Sequence, residues 1–188
     1  MKPIRRRLCA LLLIGALLTA GLCGCRIESV SGQIKELYAV YMDSAEAPTT
    51  APDYENFRRI FPLACWETWK ETVFSGSESD MKFHFEEKIY EIKDAYNDKC
   101  GLDNTYSVED IERSKIEGET LQNIKDVLDS EFGIDPGEVK QIVTVVVTIV
   151  VKGSMDTVTI THKQRLMQMS GKWYFCPVNS QDPFHLFQ

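Results

Sequence analysis

Residues 141–151 read QIVTVVVTIVV, and this run is the strongest β-strand signal in the chain. Every residue after Gln141 is β-branched, and neither glycine nor proline interrupts the run. β-Branched side chains pack well on a pleated surface, and a run that is apolar on both faces is typical of a strand covered on both sides. The run therefore predicts the central strand of a sheet.

The residues after this run predict an antiparallel meander of three strands. Two turn signals separate two further strand patterns from the first. The predicted order is a turn at Lys152–Asp156, a strand at Thr157–Met169, a turn at Ser170 and Gly171, and a strand at Lys172–Val178. Within the middle strand the apolar residues move from even to odd positions, which predicts a β-bulge near residues 162–165.

The residues before the run predict helices and one weak strand. An apolar stripe at helical spacing runs from Ile34 to Met42, and Pro48 and Pro52 end it. Further helices are predicted at Asp53–Phe61, at Pro62–Val73, from Ser77 or Ser79 through Tyr96, and at Leu121–Phe132, with a weak strand at Thr105–Ile116. This order predicts an α+β fold, in which N-terminal helices pack on a curved, mainly antiparallel, cone-like sheet ending in the meander.

The first 24 residues have the organisation of an export signal. Basic residues open the segment, and an apolar run follows from Leu8 to Leu22. This run is shorter than the ~20 residues that span the hydrocarbon core of a bilayer. We therefore expect a cleaved signal peptide, with an uncleaved membrane anchor as the alternative.

The end of this segment, Leu22-Cys23-Gly24-Cys25, resembles the lipobox of bacterial lipoproteins. The resemblance implies cleavage after Gly24 and acyl chains such as palmitate on Cys25, where two or three chains give stable anchoring. We expect a signal peptide at residues 1–24, a lipidated tether at 25–32 and a single domain at 33–188. The expected location is the extracytoplasmic face of the cell membrane, within the cell envelope.

The charge of the processed chain limits its partners. Removing residues 1–24 removes four basic residues and no acidic one, leaving 17 Lys and Arg against 28 Asp and Glu, a net charge of −11. Binding to a phosphate backbone requires clustered cations, so we expect no nucleic acid partner. The expected partners are the membrane, through the lipid on Cys25, and a protein or a small apolar ligand.

The second half of the chain resembles a known fold family. The resemblance rests on the run Tyr96-Asn97-Asp98 through Tyr106, the helix Leu121–Phe132, the Val-rich strand and the ending Met169-Ser170-Gly171-Lys172-Trp173-Tyr174. These features resemble small Gram-positive lipoproteins with a nuclear-transport-factor-like, ketosteroid-isomerase-like (cystatin-like) domain. The fold hosts enzymes, ligand pockets and assembly modules, so the resemblance leaves function open.

Three cysteines, Cys65, Cys100 and Cys176, follow the lipobox. The chain has no Cys-x-x-Cys motif and no histidine at metal-ligand spacing, so we expect no metal and no cofactor. An oxidising compartment permits one disulfide, for which we favour Cys65 with Cys100. Cys176 is expected to be a buried free thiol.

His162 is the candidate general base, because it falls at the predicted bulge of a strand that could line a pocket. The alternative, a solvent-facing strand histidine, is the interpretation that the sequence favours. His84, near a helix start, and His185, in a C-terminal tail, are not expected to act.

Ketosteroid-isomerase-like proteins use an Asp base with a Tyr or a second acid as oxyanion donor. The resemblance therefore implies Tyr106, Asp110, Trp173 and Tyr174 as further pocket candidates. No sequence motif fixes their roles. Trp66 and Trp69 are interpreted as core or rim residues rather than as a ligand-stacking pair.

The sequence favours a non-catalytic, membrane-tethered binding module. The alternative is an enzyme with a ketosteroid-isomerase-like pocket. A two-lobed solute receptor is not expected, since the 164 residues after the signal peptide are too few for two lobes.

Overall fold

The predicted central strand lies inside a four-stranded antiparallel sheet of order β1-β2-β3-β4. The protein is represented by a computed structural model, which describes residues 30–46 and 53–187. The strands are β1 (Thr105–Lys115), β2 (Val139–Lys152), β3 (Thr157–Met169) and β4 (Lys172–Phe175). β2 pairs with β1 along one edge and with β3 along the other, which confirms the prediction for residues 141–151.

Helices pack against this open sheet and give an α+β fold, as predicted. In the described ranges the helices are α1 (Val30–Glu46), α2 (Tyr54–Phe57), α3 (Leu63–Thr72), α4 (Glu78–Cys100) and α5 (Gly118–Phe132), with short 3₁₀ helices at Arg58–Ile60 and His185–Phe187. The Ser77 hydroxyl caps α4 by accepting a hydrogen bond from the backbone N–H of Asp80 (3.2 Å). Gly133 ends α5 in the left-handed conformation (φ 64°), which glycine adopts without strain.

One face of the sheet carries the core. Side chains at paired positions of antiparallel strands lie on the same face. The odd-numbered residues of β2 from Val143 to Val151 are at most 3% exposed. On the opposite face Thr144, Val146 and Thr148 are half-buried. The strand was predicted to be covered on both faces. The face of its odd-numbered residues is fully covered, whereas the face of its even-numbered residues is only partly covered.

The predicted bulge near residues 162–165 is wrong. β3 pairs with β2 in one unbroken register through this segment, and the irregularity lies between Val139 and Gln141 of β2. Leu166 and Met167 point to opposite faces, and both are fully buried. Both faces of β3 are buried at this end of the strand. The apolar residues therefore move from even to odd positions without any shift of register.

The last strand is shorter than predicted. β4 ends at Phe175 rather than at Val178. Cys176 adds one further ladder hydrogen bond, from its N–H to the carbonyl of Arg165 (2.9 Å). Pro177 then ends the pairing, because proline has no N–H to donate.

An aromatic cluster fills the space between the N-terminal helices. Trp66 and Trp69 of α3 are at most 1% exposed, so both are core residues as interpreted from the sequence. The indole N–H of Trp66 donates to the carbonyl of Arg58 (2.7 Å), and that of Trp69 donates to the carbonyl of Asn179 (3.2 Å). The first bond ties α3 to the preceding 3₁₀ helix, and the second fixes the C-terminal segment to α3.

The predicted signal peptide, Cys25 and residues 26–29 of the predicted tether lie outside the described residues. Within residues 30–46 and 53–187, no helix combines the length and the apolar character needed to cross a membrane.

Two loops at one end of the sheet are tied together; we call residues 101–104 and 153–156 the loop pair. The Asp103 carboxylate accepts hydrogen bonds from the N–H (3.0 Å) and the hydroxyl (2.9 Å) of Ser154. These bonds hold the pKa of Asp103 below its usual value. The N–H of Met155 donates to the carbonyl of Cys100 (2.9 Å). The tied loops expose two apolar side chains, Leu102 (75%) and Met155 (69%).

Gly153→Ala should separate the loop pair, because a Cβ at Gly153 would lie 2.1 Å from the carbonyl oxygen of Cys100. We expect a loss of about 1–3 kcal/mol in the free energy of unfolding, measured by urea titration. Gly137→Ala is the matched control, since its Cβ meets the flexible Asp135 carboxylate at 3.1 Å. Equal losses in both variants would contradict a close contact specific to Gly153.

Candidate functional site

His162 lies on the core face of the sheet. It is paired with Val147 of β2, whose side chain is fully buried. Because cross-strand partners share a face, the imidazole of His162 points towards the helices. There it meets α1, so the alternative of a solvent-facing histidine is not what the structure shows.

Both ring nitrogens of His162 are hydrogen-bonded. Nδ1 is 3.0 Å from the Tyr38 hydroxyl, and Nε2 is 3.2 Å from the side-chain Nε2 of Gln164. As the amide nitrogen of Gln164 is a donor, Nε2 of His162 accepts, and a neutral imidazole then donates from Nδ1 to the Tyr38 oxygen. This arrangement is that of a neutral histidine.

Aromatic rings of α1 enclose the imidazole. The Tyr41 ring stacks on it, with centroids 5.6 Å apart and planes inclined by 8°. The Tyr38 ring meets it edge-on at 5.5 Å, and Phe175 of β4 lies 6.4 Å away. We call Tyr38, Tyr41, His162 and Gln164 the His162 cluster.

The His162 cluster is neutral near pH 7. Burial lowers the pKa of His162, because the low-dielectric surroundings disfavour the imidazolium. Burial likewise raises the pKa of both Tyr38 and Tyr41, since it disfavours the phenolate. Among the described residues no carboxylate hydrogen-bonds either ring nitrogen of His162. The arrangement fixes α1 on the sheet and provides no acid partner for proton transfer.

The other predicted pocket residues do not converge on His162. Tyr106 shares a face with Val151 on the core side, and its hydroxyl donates to the Asp43 carboxylate of α1 (2.6 Å). Asp110 is paired with Thr148, and its side chain therefore lies on the opposite, exposed face. Its carboxylate accepts a hydrogen bond from the N–H of Ile111 (2.9 Å).

A register shift between Val108 and Asp110 explains this separation. Regular alternation would place Tyr106, Val108 and Asp110 on one face. The extra residue moves Asp110 to the other face and turns Ile111 towards the core. The Tyr106–Asp110 pair suggested by the family resemblance is therefore not assembled.

Trp173 and Tyr174 also lie on opposite faces of the sheet. Trp173 is paired with Gln168 on the core side and is 5% exposed. Tyr174 is paired with Met167 on the other side and is half-buried. Of the five predicted pocket residues, Tyr106, His162 and Trp173 share the core face.

His84 and His185 have different environments. His84 is half-exposed, 3.4 Å from the Glu87 carboxylate. His185 is buried, contrary to the expectation of a loose tail, and its Nδ1 is 3.1 Å from the carbonyl of Asp182. The apolar residues Phe184 and Leu186 beside it were the sequence signal for a packed C-terminus. Phe184 packs on Phe85 with centroids 4.8 Å apart.

The three cysteines of the described part, Cys65, Cys100 and Cys176, are buried and free, as predicted for Cys176. Burial raises the pKa of the Cys176 thiol to about 12, and burial together with the nearby Cys176 raises the pKa of Cys65. The Cys100 thiol is 3.7 Å from the carbonyl oxygen of Val151. The structure does not join Cys65 to Cys100, and a disulfide between them in an oxidising compartment stays a prediction.

Metal-binding side chains do not cluster in the described ranges, where no group of three or more His, Cys, Asp or Glu residues could hold an ion. No protein-family model, no curated protein and no solved structure matches the chain.

Tyr38→Phe removes the hydroxyl that bonds to Nδ1 of the half-buried His162. We expect a loss of about 1–3 kcal/mol in the free energy of unfolding. Tyr90→Phe is the control, because the Tyr90 side chain on α4 is 42% exposed. If the two variants are equally stable in urea titrations, the hydroxyl of Tyr38 contributes nothing to the fold.

Stability should fall on mild acidification. Burial lowers the pKa of His162 and of His185, so below about pH 6.5 the unfolded chain binds more protons than the folded one. The stabilisation from these two neutral histidines is complete above the pKa that they have in the unfolded chain. It is lost as the pH falls towards their lower pKa values in the folded chain. Urea midpoints at pH 7.5, 6.5 and 5.5 measure the slope. His162→Gln and His185→Gln should each flatten it.

Proposed function

We propose that the chain is a lipid-anchored protein of the cell envelope whose domain binds a partner and does not catalyse a reaction. The anchor is supported by the lipobox at Cys25. The binding role is supported by one observation, the tied loop pair that exposes Leu102 and Met155. The proposed partner is a protein or peptide with an apolar pocket.

The loop pair is suited to recognition because it is held in shape before any partner binds. Asp103 and Ser154 join the loops, and Gly153 passes close to Cys100. Ordering costs are therefore small on association. Complete burial of a Leu or Met side chain contributes about 1.5–3 kcal/mol.

The direction of α1 supports the same proposal. Tyr38 contacts His162 at the level of Val147, and Asp43 contacts Tyr106 at the level of Val151. The C-terminal end of α1 is thus directed towards the loop pair. Val30, the first described residue, lies at the other end of α1.

The His162 cluster does not favour the enzyme alternative. His162 is neutral, enclosed by Tyr38 and Tyr41, and Asp110 lies on the opposite face of the sheet. A ketosteroid-isomerase-like reaction needs a base and an oxyanion donor around one cavity. Asp110 and Tyr174 lie on the face opposite His162, and Tyr106, on the same face as His162, donates its hydroxyl to Asp43 of α1.

Cys25→Ala tests the anchor. We expect the protein to leave the membrane fraction and to keep its unprocessed size on gels. Cys23→Ala is the matched control and should remain membrane-bound, because it retains the acceptor thiol. Membrane retention and unchanged processing of Cys25→Ala would show that the lipobox interpretation is wrong.

Photo-crosslinking tests the binding role. A photoreactive amino acid at Leu102 or at Met155 should give one discrete adduct with an envelope protein in intact cells, and the same amino acid at Leu63 should not. Leu63 is the control because it is 65% exposed on α3. The Leu102→Ser and Met155→Ser double variant should lose the partner while keeping its urea midpoint. Equal adducts from all three positions would contradict a specific surface.

A further inference from the structure

The first helix of the domain is fastened to the sheet through two polar contacts. The Tyr38 hydroxyl bonds to His162, and the Tyr106 hydroxyl bonds to the Asp43 carboxylate and to the carbonyl of Ala39 (3.4 Å). Around these contacts α1 buries five apolar or aromatic side chains, each at most 7% exposed: Ile34, Leu37, Tyr38, Tyr41 and Met42. His162 thus lies at the centre of the surface that holds α1.

The free energy that holds α1 on the sheet is a small difference between a large gain from burial and a large entropic cost of ordering. Burying an apolar side chain contributes about 1.5–3 kcal/mol, whereas ordering each residue costs about 1–2 kcal/mol in backbone entropy alone. A segment near a chain end can therefore open locally without global unfolding. A change of charge at the centre of the docking surface alters this balance directly.

Every element around His162 presents a neutral group to the imidazole. β3 presents Gln164, β4 presents Phe175, and the paired position of β2 is Val147. The backbone of Leu186 in the C-terminal 3₁₀ helix also hydrogen-bonds the imidazole; burial has the larger effect on the pKa of His162 and lowers it, whereas this bond raises it.

α1 presents Tyr38 and Tyr41, and Tyr96 of α4 lies near Tyr41. Of the α1 carboxylates near Tyr38 and Tyr41 in sequence, Glu36 is exposed and Asp43 is bonded to Tyr106. An imidazolium at residue 162 would therefore have no opposite charge beside it among the described residues.

We propose that the His162 cluster is a pH-sensitive latch, which weakens when His162 is protonated and lets α1 open before the rest of the domain. On the α4 side of the core Trp66, Phe57 and Phe85 pack on one another, and Phe57 alone of these three also meets the latch, through Tyr41 at 6.3 Å. Opening is thus confined to α1 and its contacts.

The consequence for the attached protein rests on the proposed lipid anchor, whereas the latch itself does not. α1 is 17 residues long and spans about 25 Å as a helix. When α1 leaves the sheet, its length is added to the tether between Cys25 and the domain. Acidification outside the cell would then let the loop pair reach farther from the membrane.

Hydrogen–deuterium exchange of the full chain in mild detergent tests the latch. Exchange of α1 and α5 peptides is measured at pH 7.5, 6.5 and 5.5 and corrected for the intrinsic exchange rate at each pH. From pH 7.5 to 5.5 we expect the protection of α1 to fall at least fivefold more than that of α5. His162→Gln should abolish this extra loss, because glutamine remains neutral.

Two control variants locate the effect. His84→Gln should keep the pH-dependent opening of α1, since His84 lies on α4 beside Glu87. His185→Gln should also keep it. The proposal is overturned if α1 protection is independent of pH, or if His185→Gln abolishes its pH dependence while His162→Gln does not.

Imidazole titration of the wild-type chain by NMR gives a test that needs no variant. The midpoint for His162 should coincide with the midpoint of α1 opening. Midpoints that differ by more than one pH unit would also overturn the latch. Cys25→Ala distinguishes a failure of the latch from a failure of the proposed function. Loss of the anchor should leave the opening of α1 unchanged in detergent.

Discussion

The structure depends on the burial of one face of β2. The odd-numbered residues Val143 to Val151 are nearly inaccessible to water, and each apolar side chain removed from water contributes about 1.5–3 kcal/mol. β1 and β3 extend this face on either side, and α1 covers it through Tyr38 and Tyr41. A slip of one residue would move the whole buried set to the other face, so the register of the sheet is strongly specified.

The same constraint creates the His162 cluster. Since Val147 faces the core, its cross-strand partner His162 must do so as well. The imidazole is half-buried there, and Tyr38 and Gln164 provide hydrogen-bond partners for its two nitrogens. The cluster is consequently neutral and built into the packing of α1. At the opposite end of this face, the loop pair leaves Leu102 and Met155 exposed.

The fold was more predictable than the site. Periodicity identified α1 and the helix Leu121–Phe132 within α5, because hydrophobic spacing is a local property of the chain, whereas the choice of Ser77 over Ser79 as the cap of α4 came from the structure. The candidate pair Tyr106 and Asp110 failed because one extra residue in β1 reverses the faces of the strand. Tyr38 was placed correctly in the apolar stripe, but its bond to His162, 124 residues away, has no local signature.

By itself the sequence determined the α+β class, the central position of β2 and the apolar face of α1, since hydrophobic spacing and turn residues act over short distances. The resemblance to a lipobox at Cys25 is likewise read from four adjacent residues, and it stays a prediction. The tertiary structure alone decided which side chains meet: Tyr38 with His162, Asp43 with Tyr106, and Asp103 with Ser154. These contacts depend on strand register and on helix docking, which are set by the packing of the whole core.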